Sequence, residues 1–294
     1  MTENATIDRP TTIRSSLPGV YKPDSIVVAL DGSGDSEAAL PVASYFADLF
    51  GVNLRIVHAF DPGEDDGSTA GAFERYIAAL ETSGYIPDTR AEVVAGGAVE
   101  TILAAATETD LLVLATHGHG GLRSALFGSV ADKVVRGARG LTIVVPITHN
   151  PACLPIKNIV IAVDESDCAA HAADVGRDFA DRSGAAVTLV NSYLPTPIMG
   201  GIETVYVPAD GVLIEQQAAE ATVERVAEPG EQKVAVLGST VDVITETAQQ
   251  VDAELVVVGG SGRGYFARLL VGNVSEGLMH RLDRPLLVVP APAG

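Results

Sequence analysis

The sequence predicts an α/β protein built from two similar doubly wound domains, each a five-stranded parallel sheet with helices on both faces. Three observations carry this. Short runs rich in Val, Ile and Leu alternate with segments whose apolar residues recur at helical spacing. The strand-like runs are apolar along their whole length, as strands covered on both faces must be. Finally, the chain is written twice. "SIVVALDGSGDSEAALPVASYFADLFGVNLRIVHAF" from Ser25 corresponds to "NIVIAVDESDCAAHAADVGRDFADRSGAAVTLVNSY" from Asn158, with Asp31 meeting Asp164 at an offset of 133. Gly118 meets Gly262, Gly128 meets Gly272 and Pro146 meets Pro290, all at an offset of 144. A period this long means two copies of a domain, not a solenoid.

In the first copy, "SIVVAL" reads as a buried strand and "SEAALPVASYFADLF" as a helix closed by Gly51. "NLRIVHAF" is a strand, "AGAFERYIAALETSG" a helix, "TRAEVVAG" a strand and "AVETILAAATE" a helix. "DLLVLAT" is a strand, "SVADKVVRGAR" a helix and "LTIVVPI" the last strand. The second copy repeats the order, with eleven extra residues mostly around "PIMGGIETVYVPADG". Right-handed crossovers then give a doubly wound sheet, whose ligands sit beyond the carboxyl ends of the strands where the winding reverses. That places Asp31, ending the first strand, beside the loop after the fourth. The expected divisions are a disordered tail over 1–23, domains over 24–147 and 156–291, and a linker over 148–155 around "THNPACLP".

Composition narrows the function classes. Hydrophobic residues make up 47% of the 294 and charged residues 19%, a globular balance. Runs such as "LTIVVPI" and "ELVVV" fall far short of the roughly 20 residues a membrane helix needs. The first residues carry no apolar core of the signal-peptide kind, so a cytoplasmic protein is expected. The formal charge is -19, which repels nucleic acid and anionic membrane. A small anion would therefore be held mostly by backbone N–H groups. Cys153 and Cys168 form no Cys-x-x-Cys pair, and His117 and His119 lack partners at ligand spacing, so no metal site is expected.

The chemistry concentrates in "LATHGHGGLRSALFGSV", Leu114 to Val130, and "VGGSGRGYFARLLVGNV", Val258 to Val274. In each, a buried strand stops, glycines follow, and a helix restarts behind a glycine. Glycine lets a ligand approach the backbone with no Cβ in the way. A helix start offers unpaired N–H groups and the positive end of its dipole, an anion site that needs no lysine. Ser129 is placed either to cap its helix or to meet a phosphate oxygen. A single such loop reads as readily as a turn and cap; two in register, each opposite a strand-end Asp, favour a ligand. Asp31 and Asp164 either close Asx turns or hydrogen-bond an adenosine moiety. The Rossmann and Walker A fingerprints do not fit.

These residues resemble the universal stress protein family, and the whole chain is similar to a tandem two-domain member. The carrying features are "VALDGS" and "IAVDES" at the first strand ends, and a loop Gly-x-x-Gly-x(9)-Gly-(Ser/Thr). The resemblance implies the five-stranded sheet and, in nucleotide-binding members, ATP held by that loop through backbone amides and the Ser/Thr, with Mg2+ as its companion. It implies that the Asp and the residue after the second strand's histidine position flank adenine and ribose. Half one then offers Asp31, Ala59, Gly118, Gly128, Ser129 and Val130. Half two offers Asp164, Ser192, Gly259, Gly262, Gly272 and Val274, with Asn273 at the Ser/Thr position. The departures are Ala115, replacing the first motif glycine of half one, and Asn273.

Three functions follow. The first is a non-catalytic, ATP-binding stress or signalling protein, taking ATP or another adenine nucleotide in one or both halves, with at most slow hydrolysis. The second is an adenylating enzyme, suggested by "DGSGDS", although Asp31 stands where that motif has its first Ser. The third is a nucleotide-free dimerising scaffold. Two halves in one chain imply an intrachain pseudo-dimer through "LTIVVPI" and "PLLVVPAP", and a homodimer of tandem chains stays open.

Overall fold

The computed structural model describes residues 21–60, 69–82, 90–116, 128–194, 198–200, 204–206, 209–260 and 273–292. Half one runs β1 (Ser25–Ala29), α1 (Ala39–Phe50), β2 (Asn53–Phe60), α2 (Thr69–Thr82), β3 (Arg90–Ala95), α3 (Ala98–Ala105), β4 (Leu111–Ala115), α4 (Ser129–Gly137) and β5 (Thr142–Val145). Half two runs β6 (Asn158–Ala162), α5 (Asp167–Ser183), β7 (Ala186–Tyr193), β8 (Ile198–Gly200), β9 (Thr204–Tyr206), α6 (Ala209–Val226), β10 (Gln232–Leu237), α7 (Thr240–Gln250), β11 (Leu255–Gly259), α8 (Asn273–Arg281) and β12 (Leu286–Val289). Each half supplies five strands in the predicted order, and the two sets join into one sheet. One expected helix is split: Ser36–Ala38 form a 3-10 turn before α1.

The strands form one sheet in the order β10-β7-β6-β11-β12-β5-β4-β1-β2-β3. Pairing is parallel inside each half, so both halves are doubly wound. The winding reverses between β1 and β4, and between β6 and β11. Period-2 alternation sends Ile26 and Val28 into one core layer and Val27 into the other. The first layer lies under α1, α2, α5 and α6, the second under α3, α4, α7 and α8. Gly51 (φ 63) and Gly184 (φ 72) end α1 and α5 in the left-handed conformation, which a Cβ would disfavour.

The halves meet at an antiparallel seam, where Val144 pairs with Leu286 and Thr142 with Val288. Both seam strands are buried throughout. On one face Phe46 and Phe50 of α1 pack on Phe179 of α5 at 5.3 and 5.2 Å between ring centroids. Tyr21, inside the expected tail, is ordered here. Its ring stacks on Phe179, its N–H donates to Asp178 at 3.2 Å, and its carbonyl accepts from Arg182 at 3.0 Å. On the other face Arg136 of α4 donates to Glu276 of α8 at 2.8 Å.

The extra residues of half two are also placed. The offset is 133 between β2 and β7 but 142 between β3 and β10, so nine of the eleven enter between second and third strands. There β8 and β9 form a small antiparallel pair.

Candidate functional site

Strand register sets which residues stand together at each winding reversal. In half one Ala29 pairs with Leu114, which sets Asp31 level with Thr116, two residues further along each chain. The Thr116 carbonyl accepts the Gly128 N–H at 2.8 Å, fastening the start of α4 to the end of β4. Neighbouring parallel strands lie about 4.8 Å apart, so Asp31 stands beside the start of α4. In half two Val257 pairs with Ile161, which sets Gly260 level with Asp164. Thr116 N–H donates to Val145 at 2.9 Å and Gly260 N–H to Val289 at 2.6 Å, the same bond in both copies.

Both strand-end carboxylates close Asx turns. Asp31 Oδ1 accepts from the Ser33 N–H at 2.9 Å and the Ser33 hydroxyl at 2.5 Å. Asp164 Oδ1 accepts from the Ser166 N–H at 2.8 Å. The copies then diverge. Ser36 donates its hydroxyl to the Ser33 carbonyl at 2.9 Å, and half one delays its helix to Ala39. In half two Ser166 caps α5 by accepting the Ala169 N–H at 3.1 Å, and the helix starts at once. This accounts for the Ala115 departure. A Cβ at Gly259 would meet the Cys168 carbonyl oxygen at 2.8 Å. Half one has only the 3-10 turn of Ser36–Ala38 at the corresponding place, its α-helix starting at Ala39, and Ala115 sits there buried. The first motif glycine is thus needed for helix–strand packing in half two.

The N-cap of α4 is Gly128 (φ -60, ψ 134), and Ser129 is the first helical residue. Of the two roles open to Ser129, capping is not the one taken. Its side chain is exposed, as is that of Val130. Ala59 lies on β2, paired with Val94 and partly exposed. Its counterpart Ser192 donates its hydroxyl to Thr240 at 2.8 Å, at the first residue of α7. Half one has alanines at both places, Ala59 and Ala98. Val274 is half-buried against the second core layer in the first turn of α8. Gly118, Gly262 and Gly272, with His117 and His119, lie outside the described residues; so does the side chain of Asn273, which opens α8.

One residue was passed over by the sequence reading. His58 is buried, bonds through Nδ1 to the Leu30 carbonyl at 2.9 Å, and stacks flat on Phe73 at 3.9 Å. The carbonyl can only accept, so Nδ1 carries the proton. This pair buttresses the turn that holds Asp31. The signal was a histidine interrupting the apolar run at the end of "NLRIVHAF". Electrostatically, burial pushes the Cys168 thiol above its ordinary range, helped by Asp164 and Asp167. That thiol is held as a neutral packing group, not a nucleophile. Among the described residues no group of three or more His, Cys, Asp or Glu side chains is placed to hold a metal.

Two doubly wound units joined through their last strands, each with an acidic first strand end level with the residue that follows the fourth strand, define a tandem α/β protein with a winding reversal in each half. The chain belongs to the universal stress protein family, whose profile matches it twice, over 23–146 and 155–290. A universal stress protein of Mycobacterium tuberculosis is 28% identical over 295 residues, covering 91% of this chain and 97% of that protein. A second from the same organism is 26% identical over 303 residues, covering 91% and 95%. Among solved structures, a universal stress protein from Archaeoglobus fulgidus superposes with a TM-score of 0.67 at 16% identity, covering 92% of this chain and 99% of that one. That likeness speaks to the fold.

Proposed function

We propose that the protein binds ATP, or another adenine nucleotide, in the crevice of one or both halves and acts as a non-catalytic stress-response or signalling protein of the cytoplasm. The supporting observation is the register. In both copies the Asp after the first strand is level with the residue that follows the fourth strand, Thr116 or Gly260. In half one that residue's carbonyl fastens the start of α4, whose first turn has no side-chain cap and so keeps N–H groups for an anion. The residues suit such a ligand. With a formal charge of -19 the chain relies on backbone donors for a phosphate. Mg2+ would enter on the triphosphate, since no described cluster is built to hold it. Gly118, Gly128, Ser129 and Val130 form the phosphate side of half one, with Asp31 and Ala59 toward the nucleoside. Gly259, Gly262, Gly272, Asn273 and Val274, with Asp164 and Ser192, do so in half two. Pairing of β5 with β12 makes the pseudo-dimer intrachain, so a homodimer of tandem chains would use another surface.

The test is nucleotide released by heating the purified protein and identified by mass, followed by calorimetric titration with MgATP. Two binding events, or one, support the reading. No nucleotide and no heat of binding leave the scaffold reading, and AMP with pyrophosphate after incubation with ATP exposes the adenylating one.

A further inference from the structure

The helices that follow the two glycine loops are linked across the seam by the side chain of Arg136. Arg136, near the end of α4, donates from Nε to Asp132 Oδ1 at 2.9 Å within its own helix. From a terminal guanidinium nitrogen it donates to Glu276 Oε2 on α8 at 2.8 Å. Asp132 lies in the first turn of α4 and Glu276 in the first turn of α8. They are counterparts in the repeat, 144 residues apart, as are Arg136 and His280. Half two therefore has no second arginine at this place, and one guanidinium serves both helices. Hydrogen bonding to Glu276 holds Arg136 firmly in its charged form.

The charges matter because of where they sit. A carboxylate in the first turn of a helix stabilises the helix by opposing its positive end. The same carboxylate repels any second anion brought to that end. Both loop-bearing helices carry such a carboxylate, in a chain whose formal charge is -19.

We propose that Arg136 is a positioning and charge-balancing residue for both crevices, cancelling the first-turn carboxylates Asp132 and Glu276 so that each helix start can accept a polyanion. This rests on the nucleotide reading above. Arg136 itself touches no ligand. It acts on the potential at two helix starts, and it acts on half two from half one.

The experiment is calorimetric titration of the full chain with MgATP at low and high salt, with thermal melts of every variant. Arg136→Gln is expected to weaken binding by about two- to fivefold at low salt in every half that binds, the scale of one charge near a helix end. The loss should shrink at high salt. Adding Asp132→Asn and Glu276→Gln to Arg136→Gln should restore affinity, because nothing is left to cancel. A residue that merely clasps the seam would not be rescued this way, since the clasp stays broken. Should Arg136→Gln fail to fold, the double variant Asp132→Asn/Glu276→Gln with Arg136 intact carries the test, and tightening is expected. Unchanged affinity in Arg136→Gln, a triple variant as weak as the single, or no tightening in the double variant each overturns the proposal. Absence of ATP binding in the unmodified chain overturns the nucleotide reading instead, and this inference with it.

Discussion

Gly259 and Cys168 sit in such close contact that a Cβ at 259 would lie 2.8 Å from the Cys168 carbonyl oxygen and 2.9 Å from its carbon. Backbone on the first turn of α5 cannot retreat as a flexible side chain would. Gly259→Ala is therefore expected to destabilise half two by about 1–3 kcal/mol, the cost of overpacking. Ala115→Gly, at the matching place in half one, should cost only about 0.5–1 kcal/mol for the added chain freedom. Denaturant midpoints of the two variants check the ranking.

The strand-end carboxylates do two jobs that can be separated. Asp31→Asn keeps an oxygen for Ser33 and loses the charge, whereas Asp31→Ala loses both. Asp31→Ala should cost about 1–2 kcal/mol of stability, with Asp31→Asn nearly neutral. If the carboxylate also faces the nucleoside, both variants weaken MgATP binding. Melting curves and titrations on the same samples distinguish turn from ligand contact.

Tyr21 brings a further 161-residue loop closure to the seam through its carbonyl's bond from Arg182. Its ring lies against Phe50 and Phe179, one from each half. Its hydroxyl is buried without a hydrogen-bond partner among the described residues, and burial pushes its ionisation far above the ordinary tyrosine value. Tyr21→Ala is expected to cost about 2–4 kcal/mol, as truncation of a packed aromatic does. Tyr21→Phe should be neutral or stabilising, because it removes an unsatisfied polar atom. Urea unfolding of both variants reads the difference.

A pH dependence follows from His149, between the halves. It is buried, its Nε2 meets no hydrogen-bond partner among the described residues, and its backbone N–H donates to the Pro146 carbonyl at 2.9 Å. Burial lowers its pKa below the usual value, Asp283 raises it and Arg284 lowers it again. The folded state therefore prefers the neutral ring more than the unfolded chain does. Its contribution is fully present above the unfolded value of about 6.5 and is lost as pH falls below that. His149→Gln should flatten this part of the stability profile between about pH 5 and 7. A slope that is the same in both proteins would assign it to other groups.

The fold was legible because its signals are local. Runs such as "DLLVLAT" and "LTIVVPI" are apolar on both faces, as strands of a sheet covered on both sides must be. The candidate site was legible in part. Asp31 and Gly128 could be placed beside each other from the order of strands alone. The role of the first glycine could not, because the need for it arises from Cys168, some ninety residues earlier, and from a helix that starts sooner in one copy than in the other. Tyr21 was equally hidden: a lone aromatic in a polar stretch shows nothing of the two phenylalanines it will meet. Ser129 was readable as a cap or a contact, and only the backbone at Gly128 assigns the cap elsewhere.

Pairing β5 with β12 inside one polypeptide also changes how the protein can evolve. In an assembly of identical subunits, one codon specifies both crevices, and any change strikes the two together. Here each crevice has its own codons. Ala59 faces Ser192 across the repeat, Ala98 faces Thr240, and Arg136 faces His280. Away from the shared Arg136, a change that spoils or retunes one crevice leaves its twin intact, and the two are made in equal number at any dilution.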